Sequence, residues 1–313
     1  MNPLKGLIKP YYVYRPSQIL RRIRTHFQPS TAVPRRVKLP WGLRLLTNGM
    51  DDMSHSLRTA GINDLTVTEI LFRLTHPGAL AVDVGANIGY TTSILSVRSG
   101  AGGRVFSFEP HPALYQELCA NIADWKAHHA DLAEIIPINC AVSDHAGTAI
   151  LAEPNSFLEN RGRSQIELES GKTGEGNAIQ VEIVSLDGRF KNEAIDILKV
   201  DVEGHEDQVF AGANDLLAAR RIQNILFEEH RPYPAKTHLL FKQHGYQVFV
   251  LEEHLLGPVL SPASADYRRP RYSPPNYLAT CAPEQLREQF GSKGWQCLSS
   301  AARRGHPVKI RML

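Results

Sequence analysis

From residue 79 onward, short apolar runs alternate with amphipathic segments, and this alternation constrains the fold more than any other feature of the chain. The first run, Ala79–Val84, is apolar apart from one acid, which is typical of a strand buried on both faces. The later runs that we predict as strands are Arg104–Glu109, Ile135–Val142, Thr148–Leu151, Ile179–Leu186, Ile195–Val202, Ile222–Glu228, Tyr246–Leu251 and Asn276–Thr280. Because helical patterns separate most of these runs, the sequence predicts an α/β domain with a mostly parallel sheet.

The charges of the chain are unevenly placed, although the net charge of its 313 residues is only +3. The first 50 residues hold ten Lys or Arg and no Asp or Glu, and the end of the chain is basic again. We therefore divide the chain into a basic N-terminal extension (1–60), a main domain (61–283), and a C-terminal helix with a basic tail (284–313).

The basic extension contains a short helical pattern followed by a hairpin pattern around Pro40–Gly42. In the helical pattern, Ile19, Leu20, Ile23 and Phe27 share one side, and we expect this side to pack on the main domain. The charge of residues 1–36 predicts a second role, which is docking on an acidic surface. The candidates are another subunit, the acidic body of the chain itself and the anionic inner face of a membrane.

Cysteine content and hydropathy predict the compartment. The four scattered cysteines are too few for a disulfide framework or a paired zinc site. No uncharged apolar run approaches the roughly 18–20 residues of a membrane helix, and the start of the chain lacks the apolar region of a secretory signal. We therefore expect a cytoplasmic protein with reduced thiols.

Ligands of open parallel sheets bind beyond the carboxyl ends of the strands, so the residues that follow each strand predict the site. A glycine-containing turn follows the first strand, and glycines let the backbone approach a ligand closely. An acid at the end of the second strand is well placed to accept hydrogen bonds from both hydroxyls of a ribose. This combination predicts an adenosine-type cofactor, whose expected contacts are Asp83, Gly85, Asn87, Gly89 and Glu109. The turn departs from G-x-G-x-x-G, which disfavours a dinucleotide.

Ser143 and Asp144 follow the third strand, where an adenine edge would lie. We expect either side chain to accept a hydrogen bond from the exocyclic amine of the adenine. An ordinary turn at a strand end explains these two residues equally well.

Two clusters of acids and histidines follow the fourth and fifth strands. They consist of Asp201, Glu203, His205 and Glu206 in the first case and of Glu228, Glu229 and His230 in the second. Because adjacent parallel strands end at the same edge of a sheet, we expect the two clusters to meet there.

The motifs Asp83–Gly89, Phe108–Pro110, Lys199–Glu206 and Glu228–His230 together resemble the FkbM family of S-adenosylmethionine-dependent methyltransferases. The resemblance covers roughly residues 79–252. It implies the class I methyltransferase fold, a Rossmann-like, seven-stranded, mostly parallel sheet with an antiparallel last strand. It also implies S-adenosylmethionine as cofactor and O-methylation as the common chemistry, on a small-molecule or glycan acceptor. The family usually has alanine at the position of His205.

Methyl transfer to a hydroxyl requires that the acceptor lose a proton. We predict Asp201, His205 and His230 as catalytic residues, with a histidine as general base, since the unperturbed histidine pKa of ~6.5 suits this role at neutral pH. In the alternative, Asp201 and Glu229 hold a magnesium-type ion that lowers the pKa of the hydroxyl. We favour the metal-free base.

Two other functions remain as alternatives. One is a nicotinamide or nucleotide-sugar enzyme on a similar sheet. The other is a non-enzymatic or nucleic-acid-binding protein that uses the basic ends of the chain. We expect no nucleic-acid partner, because the basic segment lacks the sheet of interleaved aromatic side chains that single-strand binders use. The sequence leaves the oligomeric state open.

Overall fold

The computed structural model describes residues 9–26, 34–47, 51–154, 165–167, 176–266 and 276–299. The strands are β1 Arg35–Lys38, β2 Arg44–Thr47, β3 Leu80–Val84, β4 Arg104–Phe108, β5 Glu134–Ile138, β6 Ala141–Val142, β7 Gly147–Pro154, β8 Gln165–Glu167, β9 Gly176–Val184, β10 Ile195–Val200, β11 Ile222–Glu228, β12 Gln247–His254, β13 Gly257–Pro262 and β14 Asn276–Thr280. The helices are α1 Pro10–Val13, α2 Ser17–His26, α3 Asp52–Ala60, α4 Leu65–Leu74, α5 Tyr90–Ser99, α6 Pro112–His128, α7 Leu186–Arg189, α8 Glu206–Ala211, α9 Asn214–Ala218, α10 Lys236–Gln243 and α11 Pro283–Phe290, with a 3₁₀ turn at Gln296–Leu298.

The main sheet has the strand order β13-β12-β14-β11-β10-β3-β4-β5. Its central strands are parallel, and β14 lies antiparallel between β11 and β12. This order confirms the α/β class I methyltransferase fold, including the antiparallel last strand. The seven predicted strands run from β12 to β5, and β13 folds back on β12 as a hairpin and adds an eighth strand at the edge.

A second, four-stranded sheet has the order β6-β9-β7-β8. The predicted strand Ile135–Val142 is divided between the two sheets, because the chain turns at Asn139. The side-chain amide of Asn139 donates to the carbonyl oxygens of Glu109 and Pro110 at 2.8 and 3.0 Å. The sequence pattern predicts a polar, glycine-rich loop over residues 154–177; within it, Gln165–Glu167 form β8, and most of the other residues lie outside the described ones.

The sequence pattern predicts one helix over residues 206–219, and the structure has two, α8 and α9, which are separated at Gly212. A Cβ atom on Gly212 would lie 2.0 Å from the carbonyl oxygen of Ser143, so this position packs directly on the turn after β6. The carboxylate of Asp187 accepts from the backbone amides of Asp215 and Leu216 and so begins the new helix.

Two hydrophobic clusters hold the layers together, one on each face of the main sheet. The β1–β2 hairpin of the basic extension belongs to the first cluster. Its Trp41 donates to Ser93 of α5 at 3.1 Å, and Trp125 of α6 donates to the backbone oxygen of Arg44.

The segment after α11 belongs to the same cluster. Buried Glu69 accepts from the backbone amides of Gln296 and Cys297 at 2.8 Å each. The basic tail of residues 300–313 lies outside the described residues. In the described part of the chain, no helix combines the length and the apolar character needed to cross a membrane.

Candidate active site

The strand register arranges the site residues in a row. Val84 is level with Phe108 and Val200 on the neighbouring strands, and Val200 is level with Phe227. The residues one step further along each strand therefore share the carboxyl edge of the sheet. From β5 to β14, this row consists of Asn139, Glu109, Gly85, Asp201, Glu228 and Asn276.

A cavity of about 490 Å³ lies along this row. Five of the predicted site residues line the cavity, namely Gly85, Asn87, Glu109, Asp201 and His230. The volume is within the ~300–1,000 Å³ range of small-molecule sites.

The turn after β3 presents backbone to the cavity. Gly85 has φ +77°, and a Cβ atom there would lie 1.9 Å from the carbonyl oxygen of Asp201. Asn87 also has a positive φ of 51°, and its side-chain oxygen accepts from the backbone amide of Ile88. Because a side chain at position 85 would collide with β10, this position requires glycine.

Glu109 is a buried carboxylate that two backbone amides hold in place. One oxygen accepts from Asn87 N at 2.8 Å, and the other accepts from His111 N at 2.9 Å. Burial raises the pKa of Glu109 to about 7, although these two hydrogen bonds act in the opposite direction. Each oxygen keeps a further acceptor position, so this carboxylate fits the two hydroxyls of a ribose. With the bare turn beside it, the cavity fits S-adenosylmethionine.

Asp83 stabilises the turn without lining the cavity. It is fully buried and does not line the cavity. One of its oxygens accepts from the hydroxyls of Thr91 and Thr92 at 2.7 Å each, and the other lies 3.4 Å from the ammonium group of Lys199. The structure thus gives Asp83 a supporting role in place of the predicted contact with the cofactor.

Lys199 is the buried cation of the site. Its ammonium group donates to the carbonyl oxygen of Gly85 at 2.9 Å and lies 3.5 Å from Asp201. Burial lowers the pKa of this lysine, but the carboxylates of Asp201 and Asp83 outweigh that effect and raise it. Lys199 therefore remains charged and ties the turn to β3 and β10.

Gly89 lies outside the cavity lining. It begins α5 with φ +96°, and a Cβ atom there would lie 2.7 Å from Leu118. Sequence analysis predicted a cofactor contact here. The structure instead shows close packing between α5 and α6.

Three further predicted residues, Ser143, Asp144 and His205, also lie outside the cavity lining. The Ser143 hydroxyl and His205 Nε2 are 3.0 Å apart and buried, and Asp144 pairs with His145. The neighbouring segment Cys140–Val142 lines the cavity in their place. Burial lowers the pKa of His205. The structure thus places the ring of His205 against Ser143 and outside the cavity lining, so it does not support the predicted role of His205 as general base.

Glu229 does not line the cavity either. Arg231 and the hydroxyl of Thr237 donate to its oxygens at 2.6–2.9 Å. Burial raises the pKa of Glu229, but these hydrogen bonds prevail and lower it to about 2. Glu229 is thus paired with Arg231 and Thr237 and does not line the cavity that Asp201 lines, which disfavours the alternative in which these two acids share a metal ion. Within the described ranges, no group of three or more His, Cys, Asp or Glu side chains is arranged to hold a metal ion.

Glu228 was part of the second predicted cluster but was not among the predicted catalytic residues. It lines the cavity beside Asp201, and it is only partly exposed. Burial, together with the nearby carboxylates of Asp201, Glu203, Glu206 and Asp64, raises its pKa to about 8. Successive residues of a strand point to opposite sides, so Glu228 and Glu229 differ in orientation, but the sequence contains no signal for which of the two faces the cavity.

Comparisons with known proteins agree with this geometry. Residues 83–248 match the family described as the methyltransferase FkbM domain. The chain is 28% identical over 209 residues to 31-O-demethyl-FK506 methyltransferase FkbM of Streptomyces tacrolimicus, and the match covers 58% of this chain and 77% of that protein. It is 29% identical over 153 residues to hexuronic acid methyltransferase AglP of Haloferax volcanii, covering 47% of this chain and 54% of that protein.

A solved structure, methyltransferase FkbM from Methylobacillus flagellatus, superposes with a TM-score of 0.39 at 15% identity. This superposition covers 71% of this chain and 52% of that chain.

Proposed function

We propose that this chain, which belongs to the methyltransferase FkbM family, methylates a hydroxyl oxygen of a saccharide or a secondary metabolite. As a member of that family, it is an S-adenosylmethionine-dependent methyltransferase. The observation that carries the proposal is Glu228, which lines the cavity beside Asp201 with a pKa near 8. A hydroxyl acceptor needs a proton acceptor, and a group whose pKa lies near the working pH is well suited to that task. The name of one relative contains an O-demethyl compound, which supports an oxygen acceptor, and the name of the other contains a hexuronic acid, which supports a saccharide.

The cofactor supplies an electrophilic methyl group, and the chain supplies orientation and a proton acceptor. Gly85 and Asn87 would hold the cofactor by backbone contact, and Glu109 would hold its ribose. At the other end of the row, Glu228 would take the hydroxyl proton, with Asp201 and His230 orienting the acceptor.

Replacing Glu109 by alanine is expected to weaken S-adenosylmethionine binding about 10- to 150-fold. The reason is that hydrogen bonds to a charged group contribute roughly 1.5–3 kcal/mol. Glu109→Gln keeps one acceptor oxygen and should lose less. Calorimetry measures both affinities, and the exposed Glu134→Ala is the control. An unchanged affinity in Glu109→Ala would remove the ribose assignment.

Glu228→Gln is expected to remove the pH dependence of turnover. In the unmodified protein, the rate of methyl transfer should rise with pH through about 8, because only the ionised Glu228 accepts a proton. The variant should be slow and insensitive to pH over the same range. If the variant keeps the original rate and the original pH profile of turnover, another group accepts the proton of the hydroxyl.

Stability gives an independent check on Glu228. Because its folded pKa is raised, Glu228 contributes stability that is present below its unfolded pKa and is lost as pH rises through about 8. The melting temperature of Glu228→Gln should therefore fall less than that of the parent protein between about pH 6 and about pH 9.

The acceptor class is tested with isotopically labelled S-adenosylmethionine and an extract of the glycans and metabolites of the host. Mass analysis then locates the label. Label on a hydroxyl oxygen of a saccharide or metabolite is expected, and label on nitrogen or carbon would overturn O-methylation. We propose a reaction without a metal, so a rate that collapses in chelator and returns with magnesium would contradict the proton-acceptor role.

A further inference from the structure

The amphipathic helix α2 turns its apolar side outward. Leu20 is 73% exposed and Ile23 is also exposed, whereas Gln18 is only 5% exposed. The expectation that Leu20 and Ile23 pack on the main domain is therefore wrong. The burial of Gln18 shows that the polar side of the first turn faces the protein.

A second exposed apolar group lies at the turn between β12 and β13. Leu255 and Leu256 form this turn, and Leu256 is 63% exposed. Gly294 links the turn to the N-terminal helices. Its backbone amide donates to the carbonyl oxygen of Leu256 at 2.7 Å, and its Cβ position lies 3.6 Å from the ring of Tyr14. Tyr14 and its neighbour Val13 are themselves exposed.

We name these residues the apolar surface. It consists of Val13, Tyr14, Leu20, Ile23, Leu255 and Leu256. Its members come from the end of α1, one side of α2 and the turn between β12 and β13, and all six are exposed. Gly294 brings two of these segments together, at Tyr14 and Leu256, and groups of exposed apolar residues mark interaction sites in soluble proteins.

The charge of the segment that carries α1 and α2 selects the partner. Residues 1–26 carry six Lys or Arg and no acid. Lys9 lies 5.9 Å from the centre of the Tyr11 ring, and Arg22 donates to the hydroxyl of Tyr12. On the β12–β13 hairpin, the carboxylate of Glu252 accepts a hydrogen bond from Ser261. The positive charge of Lys9 is close enough to Glu253 to attract its carboxylate. Exposed leucine and tyrosine beside a basic segment are the pattern of peripheral helices that lie in the headgroup region of anionic bilayers.

We propose that the apolar surface docks the protein on an anionic lipid bilayer. The leucines would insert at the level of the headgroups, and the basic side chains of the extension would contact lipid phosphates. This docking does not depend on the identity of the acceptor or on the proton-transfer role of Glu228.

The test is co-sedimentation of the full chain with two kinds of vesicle, phosphatidylcholine alone and phosphatidylcholine containing phosphatidylserine. We expect binding to the second kind only, and weaker binding at high salt. Leu20→Ser combined with Leu256→Ser should lower the vesicle partition constant at least tenfold, since each loses a buried aliphatic group in the bound state. Leu239→Ser is the matched control, because Leu239 is an exposed leucine of α10, outside the apolar surface.

Calorimetry with S-adenosylmethionine establishes that each variant is folded, so a folding defect is distinguished from a loss of docking. Parent protein that remains in the supernatant with both vesicles would overturn the proposal. The same holds if the double variant sediments as the parent does. If light scattering shows a dimer that dissociates in the double variant, the apolar surface contacts a second copy of the chain, and the bilayer proposal is wrong.

Discussion

Replacing Gly85 by alanine is expected to destabilise the protein by about 2–5 kcal/mol and to weaken cofactor binding at least a hundredfold. The left-handed backbone at φ +77° costs an alanine about 1–2 kcal/mol. The added Cβ would also lie 1.9 Å from the carbonyl oxygen of Asp201, and relief of such overpacking costs roughly 1–3 kcal/mol. Relief requires that β3 and β10 separate at their carboxyl ends, where the cofactor would bind. Denaturant unfolding and calorimetry measure the two effects.

Gly78→Ala is the matched control for this variant. Gly78 has a similar φ of +84°, but nothing lies within 4 Å of its Cβ position. It should therefore show the backbone cost alone, with the cofactor affinity unchanged. If Gly85→Ala and Gly78→Ala behave alike, the contact with Asp201 does not limit the site.

The sequence predicts the row of site residues because strand ends are visible in the hydropathy pattern. Gly85, Glu109 and Asp201 each follow an apolar run directly, and parallel pairing brings such positions to one edge. The hydropathy pattern does not show in which direction the side chains at the end of each strand point. Glu228 lines the cavity and Glu229 does not, although the two acids are adjacent and chemically alike.

The hydropathy pattern also does not show in which direction the side chains of His205 and Asp83 point. A histidine four residues after Asp201 looks equally well placed for catalysis, but it begins α8 and contacts Ser143. Asp83 lies inside a strand, so its carboxylate is enclosed between β10 and α5, where Lys199 and two threonines are its partners among the described residues. These outcomes depend on tertiary packing, which a single sequence does not encode in its periodicity.

The sequence did not reveal the second sheet or the β12–β13 hairpin as separate units. A short strand such as Ala141–Val142 continues the apolar run of β5, and only the hydrogen bonds of Asn139 show that the chain turns between them. The extra strand β13 includes two prolines, which usually weaken a strand pattern, and it occupies the edge of the sheet where prolines are tolerated.

Lys199→Met is expected to destabilise the protein by about 3–5 kcal/mol, which is the usual cost of removing one partner from a buried ion pair. The variant leaves Asp83 fully buried without a cation, while the methionine fills most of the space of the lysine stem. The cofactor affinity should fall as well, since the ammonium group no longer holds the carbonyl oxygen of Gly85.

A double-mutant cycle with Asp83→Asn separates the ion pair from the packing of the lysine stem. If the pair is the main contribution, the double variant Asp83→Asn/Lys199→Met should be more stable than Lys199→Met alone, because the uncompensated charge has been removed. The exposed Lys191→Met is the control for loss of a positive charge, and it should leave both stability and cofactor affinity unchanged. Additive effects of the two substitutions would mean that Lys199 acts on the turn through Gly85 and Asp201, and that Asp83 is held by its threonines alone.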